Sequence, residues 1–190
     1  MSISRLFTVL FWGWTASETL LQVVTRTRQS KGEVKDRGSL LLLLATIFGS
    51  IWVAFWYSDT HQRTMLGGAH WLRTAALALM LTGLAIRWTA IFTLGRSFST
   101  NVAIRHTQTL LKTGLYSWVR HPSYTGMLLI FAAVGVSTRN WTSLAIMLVF
   151  PTAALIYRIH VEEMALAEAF GEDFVDYRST ITSRLVPGIY

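Results

Sequence analysis

Apolar residues come in five blocks along the chain, each bounded by a polar or turn-forming stretch. A membrane-crossing helix needs roughly 20 mainly apolar residues, because the hydrocarbon layer is about 30 Å thick and a helix rises about 1.5 Å per residue. The blocks run from about Ile3 to Val24, Gly38 to Tyr57, Gly67 to Leu94, Pro122 to Val136 and Trp141 to Tyr157. The first is interrupted by Thr15, Ser17, Glu18 and Thr19, and no small-residue cleavage site follows, so it reads as an uncleaved anchor rather than a signal peptide. The second is the cleanest, with leucine at every position from Leu40 to Leu44 and an aromatic end at Trp52, Phe55, Trp56 and Tyr57 that suits the headgroup layer. The third is 28 residues long, and Arg73 and Arg87 are expected where its ends emerge on opposite sides. Only a few residues around Arg139 and Asn140 separate the short fourth and fifth blocks, which predicts an antiparallel hairpin. Pro151 is expected to kink the fifth, because it removes a helix hydrogen bond. Gly126 and Gly135 read as sites of close helix packing. The pattern predicts an all-α, polytopic integral membrane protein with about five transmembrane helices.

Composition agrees with that reading. Of 190 residues, 52% are apolar, 13% aromatic and only 14% charged, whereas an ordinary soluble domain is about 25% charged. The absence of cysteine excludes disulfides, thiolate metal sites and cysteine nucleophiles. In a chain this apolar, a net charge of +7 points to loops held against anionic lipid rather than to nucleic acid. Basic residues gather in Thr25–Arg37 (Arg26, Arg28, Lys31, Lys35, Arg37), in Gly95–Arg120 (Arg96, Arg105, Lys112, Arg120) and in the tail (Arg158, Arg178, Arg184). Positive-inside counting therefore places the N-terminus outside and the C-terminal half in the cytoplasm. Six of the ten acids fall between Glu162 and Asp176, where the chain reads as a charged amphipathic helix. The organisation expected is three N-terminal spans over residues 1–94, followed by a catalytic region over residues 95–190.

Chemistry concentrates in two places. The stretch QTLLKTGLYSWVRHPSYTG, Gln108 to Gly126, leads into the fourth block. Pro122 suits the first turn of a helix, where its missing N–H costs nothing. The backbone N–H groups of that helix end, flanked by Arg120 and His121, favour an anionic group. Equally, Arg120 suits a topology anchor, Tyr116 and Trp118 suit the aromatic belt, and His121 suits a helix cap. The second place is Arg158, Glu162 and Glu163. Arg158 and Glu162 are four residues apart and share a helix face, which is compatible with a site or with a plain solvated ion pair. The hairpin brings the two clusters to one level, where they form a site for a ligand bearing carboxylate and ammonium groups. Glu18 and Arg87 are intramembrane charges, functional candidates by their cost in lipid, though both lie near enough to a membrane edge to snorkel.

The segment TGLYSWVRHPSYTG, followed by RIHVEEMALAEAFGEDFVDYRSTITSRLVP, closely resembles the isoprenylcysteine carboxyl methyltransferase family, within a superfamily that includes the phospholipid N-methyltransferases. The resemblance covers about Asn101 to Pro187 and rests on RHPxYxG, the paired acids and FGxx(Y/F)xxY in order. It implies S-adenosylmethionine as methyl donor at the cytoplasmic membrane surface, a lipid-modified or lipid-like acceptor arriving from the bilayer, and no metal. It also implies that Gln108, Thr109, Leu110, Leu111, Tyr116, His121, Pro122, Ser123 and Tyr124 contact the cofactor, with Glu162 at its ammonium end. Asn101 stands where the family has Gln, and Gln108 where eukaryotic members have His; each still donates and accepts hydrogen bonds. Arg158 is expected to hold the acceptor carboxylate, and Arg184 to close the site near the tail. A carboxylate acceptor, with a reference pKa near ~3.5, is already ionised at neutral pH and needs no general base. A phospholipid amine, the alternative acceptor, needs one, for which Glu163 or His160 is the nearby candidate. A non-catalytic membrane protein retaining the fold is the alternative of another class.

Overall fold

The computed structural model of the protein describes residues 2–25, 32–34, 38–61, 69–100, 103–105 and 110–190, with 32–34, 69, 96 and 103–105 described by their backbone alone. Six helices account for most of it: α1 (Ile3–Val24), α2 (Ser39–Thr60), α3 (Ala69–Leu94), α4 (Pro122–Ser137), α5 (Trp141–Phe170) and α6 (Glu172–Thr180). Among the described residues, three helices are long and apolar enough to cross a membrane, Ser39–Thr60, His70–Leu94 and Trp141–Phe170, and Pro122–Ser137 is a shorter apolar helix. The five expected blocks are thus helices in the expected places. Helix α1 is diluted by its Thr, Ser and Glu positions, and α4 is only 16 residues long.

Two findings extend the expected elements. Helix α5 continues unbroken through Pro151 as far as Phe170, so the charged stretch after Tyr157 is the same helix carried beyond its apolar part. Gly171 ends it at φ 54°, a left-handed conformation that glycine adopts without a Cβ penalty, and α6 begins in a new direction. In addition, β1 (Gly32–Val34) and β2 (Ala103–Arg105) pair antiparallel, with Glu33 opposite Ile104. This short ladder ties the α1–α2 connection to the segment after α3.

The hairpin between α4 and α5 forms as expected, and local chemistry sets it. Arg139 turns the chain at φ 59°. The Asn140 side chain then caps α5 by accepting from the N–H groups of Thr142 and Ser143 at 2.9 and 3.2 Å. Gly135 lets Leu144 approach: a Cβ there would lie 2.8 Å from the Leu144 Cα. The closest crossing is between α3 and α4, where a Cβ on Gly126 would lie 2.6 Å from the Gly83 carbonyl oxygen and 2.7 Å from the Arg87 nitrogen. Small residues at such a crossing let two backbones touch. The core between the helices holds Met80, Ile130, Phe131, Val134, Met147 and Leu155, all fully buried, with Trp14 packed edge-on against Phe131.

Polarity is inverted relative to a soluble domain. Trp12, Leu41, Trp52, Phe92, Val149 and Phe150 face outward, while Arg87, Arg120, Arg158 and Glu163 are buried. Such an arrangement suits a hydrocarbon exterior, where intramembrane charges turn inward and pair.

Candidate functional site

The site is built where α4 begins and α5 loses its apolar character. Arg158, 3% exposed, lies in α5. Its Nε donates to the Tyr124 phenol oxygen at 2.9 Å, one terminal nitrogen donates to Ser39 Oγ at 3.1 Å, and the other to the Thr100 carbonyl. The Tyr124 hydroxyl in turn donates to Glu162 at 2.8 Å. One turn separates Arg158 from Glu162 on α5, so the single phenol of α4 links both. His121 stacks on the Tyr124 ring, with centroids 5.7 Å apart, and its Nδ1 lies 3.9 Å from Glu162. The Glu162 side chain is one-third exposed, at the rim of the bundle.

Beside this lies a second charged cluster centred on Glu163, whose side chain is 7% exposed. Arg120 Nε donates to one carboxylate oxygen at 2.8 Å, with His121 Nε2 3.3 Å from the same atom. Arg184 donates twice to the other oxygen, at 3.0 and 2.9 Å. The tail is strapped down by the backbone as well. The Arg120 and His121 N–H groups donate to the carbonyls of Ser183 and Arg184 at 3.0 and 2.9 Å, and the Thr125 hydroxyl donates to the Leu185 carbonyl at 2.6 Å. Arg120 also reaches the Ile181 and Thr182 carbonyls. The anion that Arg120 and His121 face is therefore the chain's own Glu163, and the amides of both residues are taken by the tail rather than left to a ligand. Hydrogen bonding to Glu163 holds the Arg184 guanidinium above its usual range.

Tyr116 and Tyr177 buttress the approach to α4. Tyr116 sits in a short 3-10 turn, Gly114–Ser117. Tyr177 of α6 donates to the Tyr116 carbonyl at 2.7 Å. Burial pushes the Tyr116 phenol up, with Glu162 adding to it, and pushes the Tyr177 phenol up to about 12, with Arg120 opposing.

A cavity of about 70 Å³ opens between α1, α2 and α4, lined on its polar side by Glu18, Arg87, Thr100, Tyr124 and Arg158 and on its apolar side by Leu43, Leu44, Ile47 and Met127. Thr15, Phe48 and Ile51 also border a wider apolar cleft of about 620 Å³, which runs between α1 and α2 toward Phe7, Phe11 and Phe55. Thr100, 6% exposed, has no hydrogen-bond partner for its hydroxyl among the described residues.

Of the residues singled out in the sequence, Arg158, Tyr124, Glu162 and His121 come together directly. Arg184 joins through Glu163. Pro122 is fully buried under the helix start, and Ser123 turns its hydroxyl to Arg87 at 2.8 Å. Leu110 and Leu111 are half-buried, leading into the 3-10 turn, and Asn101, Gln108 and Thr109 lie outside the described residues. Sequence reasoning did not find Ser39, Thr100 or the pairing of Glu18 with Arg87. Arg87 donates to both oxygens of Glu18, whose Oε1 also accepts from Trp14 Nε1 at 3.1 Å. Two opposite charges inside apolar blocks were the available signal for that last pair.

An all-helical bundle with apolar side chains outside and a charged, partly open site at one level is an integral membrane protein with a buried polar centre. Residues 76–168, from within α3 to near the end of α5, match the isoprenylcysteine carboxyl methyltransferase family. The protein-S-isoprenylcysteine O-methyltransferase of Rattus norvegicus is 31% identical over 127 residues, 60% of this chain and 41% of the rat protein. The B form from Arabidopsis thaliana is 33% identical over 115 residues, 60% of this chain and 58% of that one. The fold is similar to the solved structure of the eukaryotic intramembrane Ras methyltransferase, isoprenylcysteine carboxyl methyltransferase, with a TM-score of 0.57 and 23% identity over 78% of this chain and 52% of that chain. Over residues 76–168 the chain is similar to the isoprenylcysteine carboxyl methyltransferase family, and its fold is that of the solved member. It spans about half the length of the curated relatives it matches.

Proposed function

We propose that the protein transfers a methyl group from S-adenosylmethionine to the carboxylate of an isoprenylcysteine or a similar lipid-like acceptor, at the cytoplasmic surface of a membrane that it crosses five times. The observation that carries this reading is the cavity in which Arg158 and the partnerless Thr100 hydroxyl stand at one end of an apolar passage. A carboxylate takes hydrogen bonds from a guanidinium and a hydroxyl, and a hydrocarbon tail takes the apolar walls and the cleft between α1 and α2. Positive-inside counting puts the basic residues of the segments 25–37 and 95–120 and of the tail on one side, which supports a cytoplasmic site and an outer N-terminus.

The residues at the rim fit the methyl donor. Glu162 is a carboxylate oriented by a phenol and left one-third exposed, as an ammonium partner requires. Beside it, Glu163 offsets one of the two positive charges of Arg120 and Arg184, and Glu162 is the carboxylate left to face a cationic ligand. Glu162, Tyr124 and His121 would hold the donor, with Tyr116, Leu110 and Leu111 nearby and Asn101, Gln108 and Thr109 supplied by the adjoining segment. When bound, S-adenosylmethionine would supply an electrophilic methyl on a positively charged sulfur, the acceptor becoming a methyl ester as the S–CH3 bond breaks to leave the neutral thioether S-adenosylhomocysteine.

The chain's own contribution is orientation and exclusion of water. Arg158 and Thr100 fix the acceptor carboxylate, and Tyr124 couples that position to Glu162. Lining the cavity with leucine and isoleucine keeps the reacting charges poorly screened. No side chain has to move a proton. Glu163 has both oxygens committed to arginines, and His160 is exposed, which favours a carboxylate over an amine acceptor. Purified protein in detergent should bind S-adenosylhomocysteine in calorimetry and should incorporate labelled methyl into a base-labile ester. Binding without any incorporation would leave a non-catalytic relative, and absence of binding would end the methyltransferase reading.

A further inference from the structure

Arg158 is not the cavity's only guanidinium. Arg87, 5% exposed, lines the same space of about 70 Å³ from α3. Arginine stays charged in any protein environment, and in a poorly screened interior it attracts a carboxylate strongly. An acceptor carboxylate entering this space would therefore have two cationic destinations, of which Arg158 is the one joined to Glu162 through the Tyr124 hydroxyl. Arg87 is, however, already occupied. Its Nε and one terminal nitrogen engage both oxygens of Glu18, and its other terminal nitrogen donates to Ser123 Oγ. Trp14 fixes Glu18 in turn. Stability alone is a poor reason to keep such a pair, because well-packed apolar replacements of buried ion pairs are often neutral or stabilising.

We infer that Glu18 masks Arg87, so that the acceptor carboxylate is directed to Arg158 and Thr100 instead of being captured at a second guanidinium in the same cavity. Glu18 is then a specificity-determining residue that acts through Arg87. The inference rests on the proposed carboxylate acceptor.

Three variants test it: Glu18→Gln, Arg87→Gln and the double variant, assayed for kcat and KM with N-acetyl-S-farnesylcysteine, with S-adenosylhomocysteine binding as the check on folding. Unproductive capture lowers kcat and KM together, so Glu18→Gln is expected to reduce both by about tenfold with kcat/KM held within about twofold. Arg87→Gln is expected to shift KM the other way, since it leaves a carboxylate facing the acceptor. The neutral double variant is expected to recover kcat to within about threefold of the parent. A Glu18→Gln protein that loses kcat/KM about tenfold at unchanged KM, with no recovery in the double variant, would make the pair a structural clamp and overturn the inference. If Glu18→Gln does not bind S-adenosylhomocysteine, the double variant decides alone: kcat near the parent supports masking, and a folded protein with kcat about tenfold lower contradicts it. A parent protein that neither binds S-adenosylhomocysteine nor methylates the probe would instead remove the proposed function.

Discussion

Tyr124 and Arg158 are joined across α4 and α5 by a 2.9 Å hydrogen bond, in which the guanidinium donates to the phenol oxygen that itself donates to Glu162. One hydroxyl thereby couples the residue assigned to the acceptor with the residue assigned to the donor's ammonium. Tyr124→Phe keeps the ring stacked on His121 and removes only that coupling. It is expected to lower kcat/KM about tenfold, or ~1.4 kcal/mol, as loss of a hydrogen bond to charged partners should. Steady-state kinetics against both substrates checks this, and an effect confined to one substrate would show that the phenol serves that site alone.

The Thr100 hydroxyl is buried without a partner among the described residues, so removing it should cost the folded protein nothing. Thr100→Val is expected to leave thermal stability equal or slightly raised, while acceptor KM rises about fivefold, the scale of one ordinary hydrogen bond. Thr100→Ser should restore KM. A destabilised valine variant would mean that the hydroxyl has a structural partner.

Glu163 holds the tail to the start of α4 through Arg120 and Arg184. Replacing one member of a buried pair leaves an uncompensated charge, so Glu163→Gln is expected to cost about 3 kcal/mol. Protease digestion in detergent should release the peptide after Ile181 faster than in the parent. An intact tail at unchanged stability would contradict the strap.

Alkaline stability follows from Tyr177. Burial holds its phenol up at about 12 in the folded state, against an ordinary value of 10.0. Below pH 10 the phenol is neutral in both states and its contribution is complete; between pH 10 and 12 the unfolded chain ionises it while the folded chain does not, and stability falls. Thermal unfolding from pH 9 to 12 should decline less steeply for Tyr177→Phe than for the parent. Parallel curves would place the alkaline loss elsewhere.

The parts of this molecule legible in the sequence are those carried by neighbours along the chain. Five apolar blocks announce five helices, three of which among the described residues are long and apolar enough to cross a membrane, and Asn140 announces the start of α5 because its side chain caps the next residues. RHPxYxG and Glu162 could be placed together because a short hairpin leaves little choice of level. What escaped depends on helix rotation and on contacts between distant positions. Glu18 and Arg87 meet 69 residues apart because α1 packs against α3 with the two side chains facing each other. Glu163 read as a candidate base until Arg120 and Arg184 closed on it, and three-residue strands such as Gly32–Val34 carry too little pattern to be seen. Pro151 is tolerated in an unbroken α5, as prolines are in membrane helices where neighbours resatisfy the backbone.

Arg158 is the residue assigned to hold an acceptor carboxylate for methylation. The most direct test of that role is transfer of labelled methyl from S-adenosylmethionine to N-acetyl-S-farnesylcysteine by the parent and by Arg158→Ala, with S-adenosylhomocysteine affinity measured on the same preparations. The account predicts base-labile ester formation by the parent, its loss by at least about a hundredfold in the variant, and donor affinity within about threefold. Full turnover by Arg158→Ala, or loss of donor binding together with turnover, would contradict it.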